Sequence, residues 1–261
     1  MKPPVIVLCG GQGTRLKEET EFRPKPMVSV GERPLLWHIM NIYACQGFER
    51  FVLALGYKGE MIRDYFLNYR ERTADLTIAF GAEHDERAFH GGCDIEGWRV
   101  TLAETGQATM TGGRIHACRD HVASGTFMMT YGDGVADIDL EALLRQHRKS
   151  GKLATVTGLQ PRSRFGIIER DAAGDALRFR EKPKLDEYTS GGFFVLEPGV
   201  LDLLGPDCVF EQEPLSHLAE SGQLGVYTHD GFWMSIDTYR EYTEINRMWE
   251  AGDRPWALWE R

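Results

Sequence analysis

The chain has 261 residues, 42% of them hydrophobic and 26% charged, and a formal net charge of −9. This length suits one large α/β domain or two small ones, and the composition is that of a folded globular protein and excludes a disordered one. So acidic a chain is unsuited to coating nucleic acid or an anionic membrane. Phosphates, if bound, must be met by a few placed cations and backbone N–H groups.

The opening apolar run ends at Gly10 and Gly11, too soon for a signal h-region or a membrane span, and no later stretch is longer. A cytoplasmic chain is expected, with no membrane or nucleic-acid partner. The five cysteines, Cys9, Cys45, Cys93, Cys118 and Cys208, include no C-x-x-C pair and are odd in number. Reduced, mostly buried thiols are expected rather than a disulfide or zinc framework. The histidines form no H-E-x-x-H, and His116 and His121 read as unrelated residues.

In chain order, Val5 to Cys9 is a continuous apolar run bounded by glycines, as in a buried parallel strand. Pro34 opens a helix with Leu35, Leu36, Ile39, Met40 and Tyr43 on one face, and Gly47 stops it. Phe51 to Leu55 is a second strand, Met61 to Tyr69 a second helix, and Leu76 to Phe80 a third strand. This β-α-β-α-β order predicts a parallel sheet. His84 to Gln107 reads as irregular, with short strands and a loop. Further strands are predicted at Phe127–Tyr131, Leu153–Leu159, Phe165–Ile168, Leu177–Arg180, Phe193–Leu196 and Leu224–Thr228, the middle ones more antiparallel. Helices are predicted around Leu140–His147, over Pro214–Gly222 and over Thr238–Ala251, the last opened by a Thr238–Glu241 capping box. Trp37, Phe193, Phe194 and Trp249 are expected in the core. One domain spanning 1–261, with a small inserted subregion, is the simplest organisation.

The first chemical signal is Gly10-Gly11-Gln12-Gly13-Thr14-Arg15-Leu16, directly after the first strand. Glycines there let backbone N–H groups approach phosphates. It is neither a Walker A loop, which needs Gly-Lys-Ser/Thr, nor a dinucleotide fingerprint, because Leu16 stands at the third glycine position. Arg15 adds a planar cation suited to a leaving pyrophosphate. Pro24-Lys25-Pro26 mounts a second cation on a stiff segment. Asp133, in Gly132-Asp133-Gly134, follows a buried strand at the carboxyl end of the sheet, where ligands collect. Asp237 precedes the last helix, and Thr238 is the better cap. Two aspartates of this kind suit Mg²⁺, which takes one or two carboxylates plus phosphate oxygens and waters. Asp137 and Asp139 read as the start of the next helix.

With Gly10–Leu16 and Pro24–Pro26 in place, the chain resembles the sugar nucleotidyltransferase family. Pro34–Met40, Gly56–Gly59, Met110–Arg114, Thr130–Val135 and Pro255-Trp256 resemble its cytidylyl branch. The resemblance implies a Rossmann-like, GT-A-like α/β fold with a mixed, mostly parallel central sheet flanked by helices. It implies cytidine triphosphate and a hexose 1-phosphate, glucose 1-phosphate first, as substrates, with Mg²⁺ as cofactor and assembly into a homo-oligomer. Arg15, Lys25 and Asp133 are then the catalytic candidates, and Asp133 and Asp237 the metal ligands. Leu8, Gly10, Gly11, Gly13, Thr14, Thr111, Gly112 and Gly113 would bind the nucleotide. Tyr131, Lys182 of Glu181-Lys182-Pro183, and Gly192 would bind the sugar phosphate. A hairpin turn competes with base binding at Thr111–Arg114, and a core role competes at Tyr131. Two positions depart from the family pattern. Ser190 stands where relatives commonly have Asn before the glycine pair, which bears on the sugar hydroxyls, and Cys9 replaces a small alanine. A different nucleotide and sugar pair, a glycosyltransferase sharing this core, or a non-catalytic nucleotide-binding homologue are the alternatives.

Overall fold

The computed structural model describes residues 2–81, 84–161, 163 and 165–261. Eight strands form the central sheet: β1 (Val5–Leu8), β2 (Arg50–Leu55), β3 (Arg99–Glu104), β4 (Phe127–Tyr131), β5 (Ala154–Leu159), β6 (Thr189–Ser190), β7 (Phe194–Leu196) and β8 (Leu224–His229). They lie in the order β8–β5–β7–β4–β1–β2–β3, with β6 continuing the pairing of β7 on β5. Only the β6–β7 run is antiparallel to its neighbours. The sheet is thus mixed and mostly parallel, with helices α1 (Leu35–Ala44), α2 (Gly59–Leu67), α3 (Thr111–Ala117), α4 (Leu140–Ser150), α5 (Glu213–Glu220) and α6 (Tyr239–Glu250) packed around it.

β1 is central, and its alternation divides the core. Val5 and Val7 face one buried cluster with Leu35, Ile39 and Tyr43 of α1, while Ile6 and Leu8 face another with Ile115, Phe194 and Phe210. Nine of the ten α1 residues are buried, so the apolar face predicted after Pro34 widens into a fully enclosed helix. Pro34 itself lies just outside the helix, bridged to Ser29. Trp37, Phe193 and Phe194 are core residues, and Trp249 is partly buried against the core.

The expected third parallel strand is corrected. Asp75–Ala79 is a strand, but it pairs antiparallel with Glu86–His90 in a separate hairpin, and its residues are largely exposed. The parallel position on β2 is taken by Arg99–Glu104, within the segment expected to be irregular, because Val100 and Leu102 can turn onto the core. Ile167–Arg170 and Ala176–Arg180 form another two-stranded sheet apart from the central one. Cys9 and Cys118 are buried and Cys45 is exposed; all five thiols are free. Among the described residues no helix is long and apolar enough to cross a membrane.

The C-terminal segment is anchored through His38, whose ring lies among Trp37, Trp249, Trp256 and Trp259 at centroid distances of 5.2, 4.8, 6.4 and 5.8 Å. Its Nε2 lies 2.9 Å from the Val30 carbonyl, and Trp256 Nε1 donates to its Nδ1 at 3.4 Å, which assigns the Nε2–H neutral tautomer. Burial lowers its pKa from 6.5 to about 4. The unfolded chain therefore takes a proton below pH 6.5 that the folded chain refuses until about pH 4. Stability then falls as pH drops through that window, by about 3 kcal/mol in all. Urea unfolding at pH 7 and pH 5 should show that loss in part, with a shallower slope in His38→Gln. An identical slope in the variant would assign the acid sensitivity to other groups.

Candidate active site

The order β3–β2–β1–β4 reverses direction at β1, which opens a crevice beyond the carboxyl ends of β1 and β4. Register sets Leu8 beside Tyr131, so the loops leaving both strands meet there. Gly10–Leu16 is held by buried Leu16, by a Leu16 N–H bond to the Gly13 carbonyl at 2.9 Å, and by Thr20 Oγ1 donating to Gly13 and Leu16 carbonyls at 3.0 and 2.9 Å. Gly13 has φ +62°, and a Cβ there would lie 2.7 Å from Thr20 Cγ2, so only glycine fits both the turn and its backing. A Cβ on Gly11 would meet nothing, which leaves that backbone open to a ligand.

Pro24-Lys25-Pro26 forms a tight turn, with Met27 N–H bonded to the Pro24 carbonyl at 2.8 Å. Pro26 presses on Gly132, where a Cβ would stand 2.8 Å from the proline ring. That contact aims Lys25 at Asp133. A short antiparallel pair, Gly134–Ala136 with Trp233–Ser235, brings in the second aspartate, and Ile236 N–H bonds the Asp133 carbonyl at 2.8 Å. The Thr238–Glu241 capping box opens α6, with Glu241 Oε2 accepting from the Asp237 and Thr238 N–H groups at 2.9 and 2.8 Å. The Asp237 carboxylate is thereby left free to face the crevice. Asp139 caps α4, but Asp137 instead accepts from Phe232 N–H at 2.7 Å, so only one of the pair begins that helix.

The charged groups converge. Lys25 Nζ donates to Asp133 Oδ2 at 2.8 Å and to Asp237 Oδ1 at 2.6 Å, with only 10% of its side chain exposed. Arg15 Nη2 reaches the same Asp237 oxygen at 2.9 Å from a side chain that is 73% exposed. Burial works against ionisation of Asp237, yet the hydrogen bond and charge of Lys25, joined by Arg15, outweigh it and hold the carboxyl below its usual range. These groups line a cleft of about 340 Å³ together with Leu8, Gly10, Gly11, Gly13, Thr14, Thr111 and Tyr131.

Four predicted residues lie elsewhere. Gly112 and Gly113 are buried behind the cleft wall, at the start of α3 and not in a hairpin turn. They are small because the chain at 206–208 packs on them: a Cβ on Gly113 would lie 2.0 Å from the Pro206 carbonyl, and one on Gly112 2.3 Å from Cys208 Sγ. Gly192, with φ +75°, backs the Tyr131 ring, where a Cβ would lie 3.1 Å from the ring, and does not line the cleft. Ser190 Oγ accepts the Gly192 N–H at 3.4 Å. Lys182 is 63% exposed and its ammonium lies 3.7 Å from the carboxylate of its neighbour Glu181, outside the cleft lining.

Two residues carry more than their sequence signal suggested. Arg114 is buried and donates to the Leu55, Gly106, Gly10 and Gln107 carbonyls and to Thr105 Oγ1, so it ties the glycine loop to the segment before α3. Glu211 accepts from both Thr111 Oγ1 and the Tyr131 hydroxyl. It sits in a polar run ahead of α5 that nothing in the sequence singles out. Among the described residues no three His, Cys, Asp or Glu side chains gather as a protein-only metal cage.

A model of the nucleotidyl transferase family matches residues 4–251 of the chain. A probable glucose-1-phosphate cytidylyltransferase of Bacillus subtilis (strain 168) is 45% identical over 97% of the chain and 99% of its own length. The glucose-1-phosphate cytidylyltransferase of Salmonella typhi is 45% identical over 98% of the chain and 99% of its own length. Among solved structures, HddC from Yersinia pseudotuberculosis superposes with a TM-score of 0.67 at 19% identity, over 95% of the chain and 100% of that structure. A putative glucose-1-phosphate thymidylyltransferase from Bacillus anthracis gives 0.68 at 16% identity, over 95% of each chain. At such identities the two structures share the fold and speak to nothing further.

Proposed function

The chain belongs to the nucleotidyl transferase family, and from that membership we propose that it transfers a cytidylyl group from cytidine triphosphate to α-D-glucose 1-phosphate, forming CDP-glucose and pyrophosphate. The substrates follow from the names of the relatives that match nearly its whole length. The observation that carries the chemistry is the convergence of Lys25, Asp133, Asp237 and Arg15 on one point of the cleft.

Two carboxylate oxygens held 2.8 and 2.6 Å from one ammonium already converge on a cation. Hard oxygen donors, open to a cleft where phosphate oxygens and water can complete the shell, fit a divalent ion and Mg²⁺ in particular. Asp133 and Asp237 would hold it. When bound, such an ion neutralises charge developing on the transferred and leaving phosphates. The phosphate oxygen of the sugar 1-phosphate is already anionic, so no strong general base is needed. The protein's work is positioning and charge complementarity for an in-line displacement at the α-phosphorus. The open backbone at Gly11 and the Gly13–Thr14 turn receive the triphosphate. Lys25 meets the α-phosphate from its proline-braced turn, and exposed Arg15 grips the departing pyrophosphate.

Lys182 belongs to this reading as a grip on the sugar phosphate, supported by the family motif Glu181-Lys182-Pro183, and would have to leave its exposed position. The hairpin Ile167–Arg180 and the chain to Ser190 form the inserted sugar-binding subregion. Self-assembly is supported by Ile168, Leu177 and Phe179, each 62–69% exposed on that hairpin. A cytoplasmic setting fits the five free thiols.

The test is pyrophosphate release with Mg²⁺ over a matrix of four nucleoside triphosphates and a panel of hexose 1-phosphates. Release only with cytidine triphosphate and glucose 1-phosphate is expected. Another productive pair would keep the mechanism and change the specificity. No release from folded protein would replace the enzyme with a nucleotide-binding regulatory homologue.

A further inference from the structure

Glu211 lies on the short turn between Cys208 and α5, beside Phe210, whose ring is fully buried against Phe194. Its two carboxylate oxygens take hydroxyls from two different elements. Thr111, at the first residue of α3, donates at 2.5 Å, and Tyr131, at the last residue of β4, donates at 2.6 Å. Thr111 Oγ1 also accepts the Phe210 N–H at 3.0 Å. An ionised carboxylate can only accept, so both hydroxyl hydrogens are committed to Glu211.

Thr111 and Tyr131 both line the cleft. A free hydroxyl adapts to a ligand by turning its hydrogen, but these two have no hydrogen left to turn. Towards the cleft each offers lone pairs alone. Thr111 has one remaining, and a carboxylate directly behind it makes that side of the cleft electronegative. A ligand edge that donates N–H is matched there, while an edge that presents a carbonyl oxygen meets lone pair against lone pair. At ring position 4 cytosine carries an amino group where uracil and thymine carry a carbonyl, with donor and acceptor roles inverted at the neighbouring N3, so the acceptor on Thr111 tells them apart when it faces position 4.

We propose that Glu211 is a specificity-determining residue that fixes Thr111 and Tyr131 as hydrogen-bond acceptors and so favours a nucleotide base bearing an amino group over one bearing a carbonyl. This rests on the cytidine triphosphate reading above. The residue acts through Thr111 and Tyr131 and touches no reacting atom.

The test is Glu211→Gln, which keeps the shape. Its amide nitrogen must donate to one of the two hydroxyls and turn that hydrogen towards the cleft. The ratio of kcat/KM for cytidine triphosphate over uridine triphosphate is expected to fall tenfold or more, with an unchanged melting temperature and a lower KM for uridine triphosphate. One mispaired hydrogen bond against a bound ligand has effects of this order. A merely structural role would lower both nucleotides together. An unchanged ratio in the variant of a cytidine-preferring wild type overturns the role of Glu211 and leaves the donor assignment standing. A wild type that prefers a carbonyl-bearing base overturns the donor assignment and this inference with it. Should Glu211→Gln fail to fold, Thr111→Val, which removes the acceptor outright, is expected to lower the same ratio, and equal losses for both nucleotides would again overturn it.

Discussion

Asp133→Asn should retain the fold and lose turnover by about a thousandfold, the scale on which one preorganised electrostatic contact acts in a transition state. The fold survives because the backbone carbonyl of Asp133, not its side chain, ties the Ile236 N–H at 2.8 Å. Asparagine has the same volume, and its amide oxygen can still accept from Lys25, now as a neutral bond. What is lost is one of two anionic oxygens converging on a cation position. A neutral amide is a poor ligand for a small hard divalent ion, and only Asp237 remains to hold it. Pyrophosphate release over a magnesium titration, with circular dichroism as the check on folding, reads the effect. Higher magnesium should recover part of the rate. A variant within threefold of the wild-type kcat at ordinary magnesium would remove Asp133 from the chemistry.

Much of this cleft was legible because its parts are local. A continuous apolar run ending in glycines marks β1 and the glycine loop that lines the cleft after it. Two prolines around a lysine mark a braced cation, and a Thr-x-x-Glu box frees the aspartate before it. The failures are non-local. Leu76–Phe80 is more apolar than Arg99–Glu104, yet the latter joins the sheet, since pairing with β2 and packing of Val100 and Leu102 decide membership. Gly112 and Gly113 carry the mark of ligand contact, but their smallness answers to a segment nearly a hundred residues downstream. Glu211 has no mark at all: its meaning lies in the two hydroxyls that α3 and β4 bring to it. Local motifs announce the charged groups and the glycine loop that line the cleft, whereas groups that orient other side chains are visible only once the chain has folded around them.

Lys25→Met should separate two roles that coincide in this site. Methionine keeps the length and the packing of a side chain that is only 10% exposed, and the flanking prolines hold the turn, so the protein should fold. Turnover should fall by about two to three orders of magnitude, because a cation aimed at the transferred phosphate is gone. Binding of a divalent ion to the free protein should move the other way. In the unliganded site the Lys25 ammonium already stands on both carboxylates, at 2.8 and 2.6 Å, and competes with any other cation for them. With it removed, Asp133 and Asp237 face one another with, among the described residues, only Arg15 paired to them, and that arginine is largely solvated. Like charges so close favour capture of a cation. Equilibrium dialysis with Mn²⁺ and no nucleotide should therefore show tighter binding in Lys25→Met than in the wild type, alongside the lower kcat. Weaker binding in the variant would mean that Lys25 organises the carboxylates instead of occupying them. An undiminished kcat would mean that the lysine neutralises the resting site and plays no part at the α-phosphate.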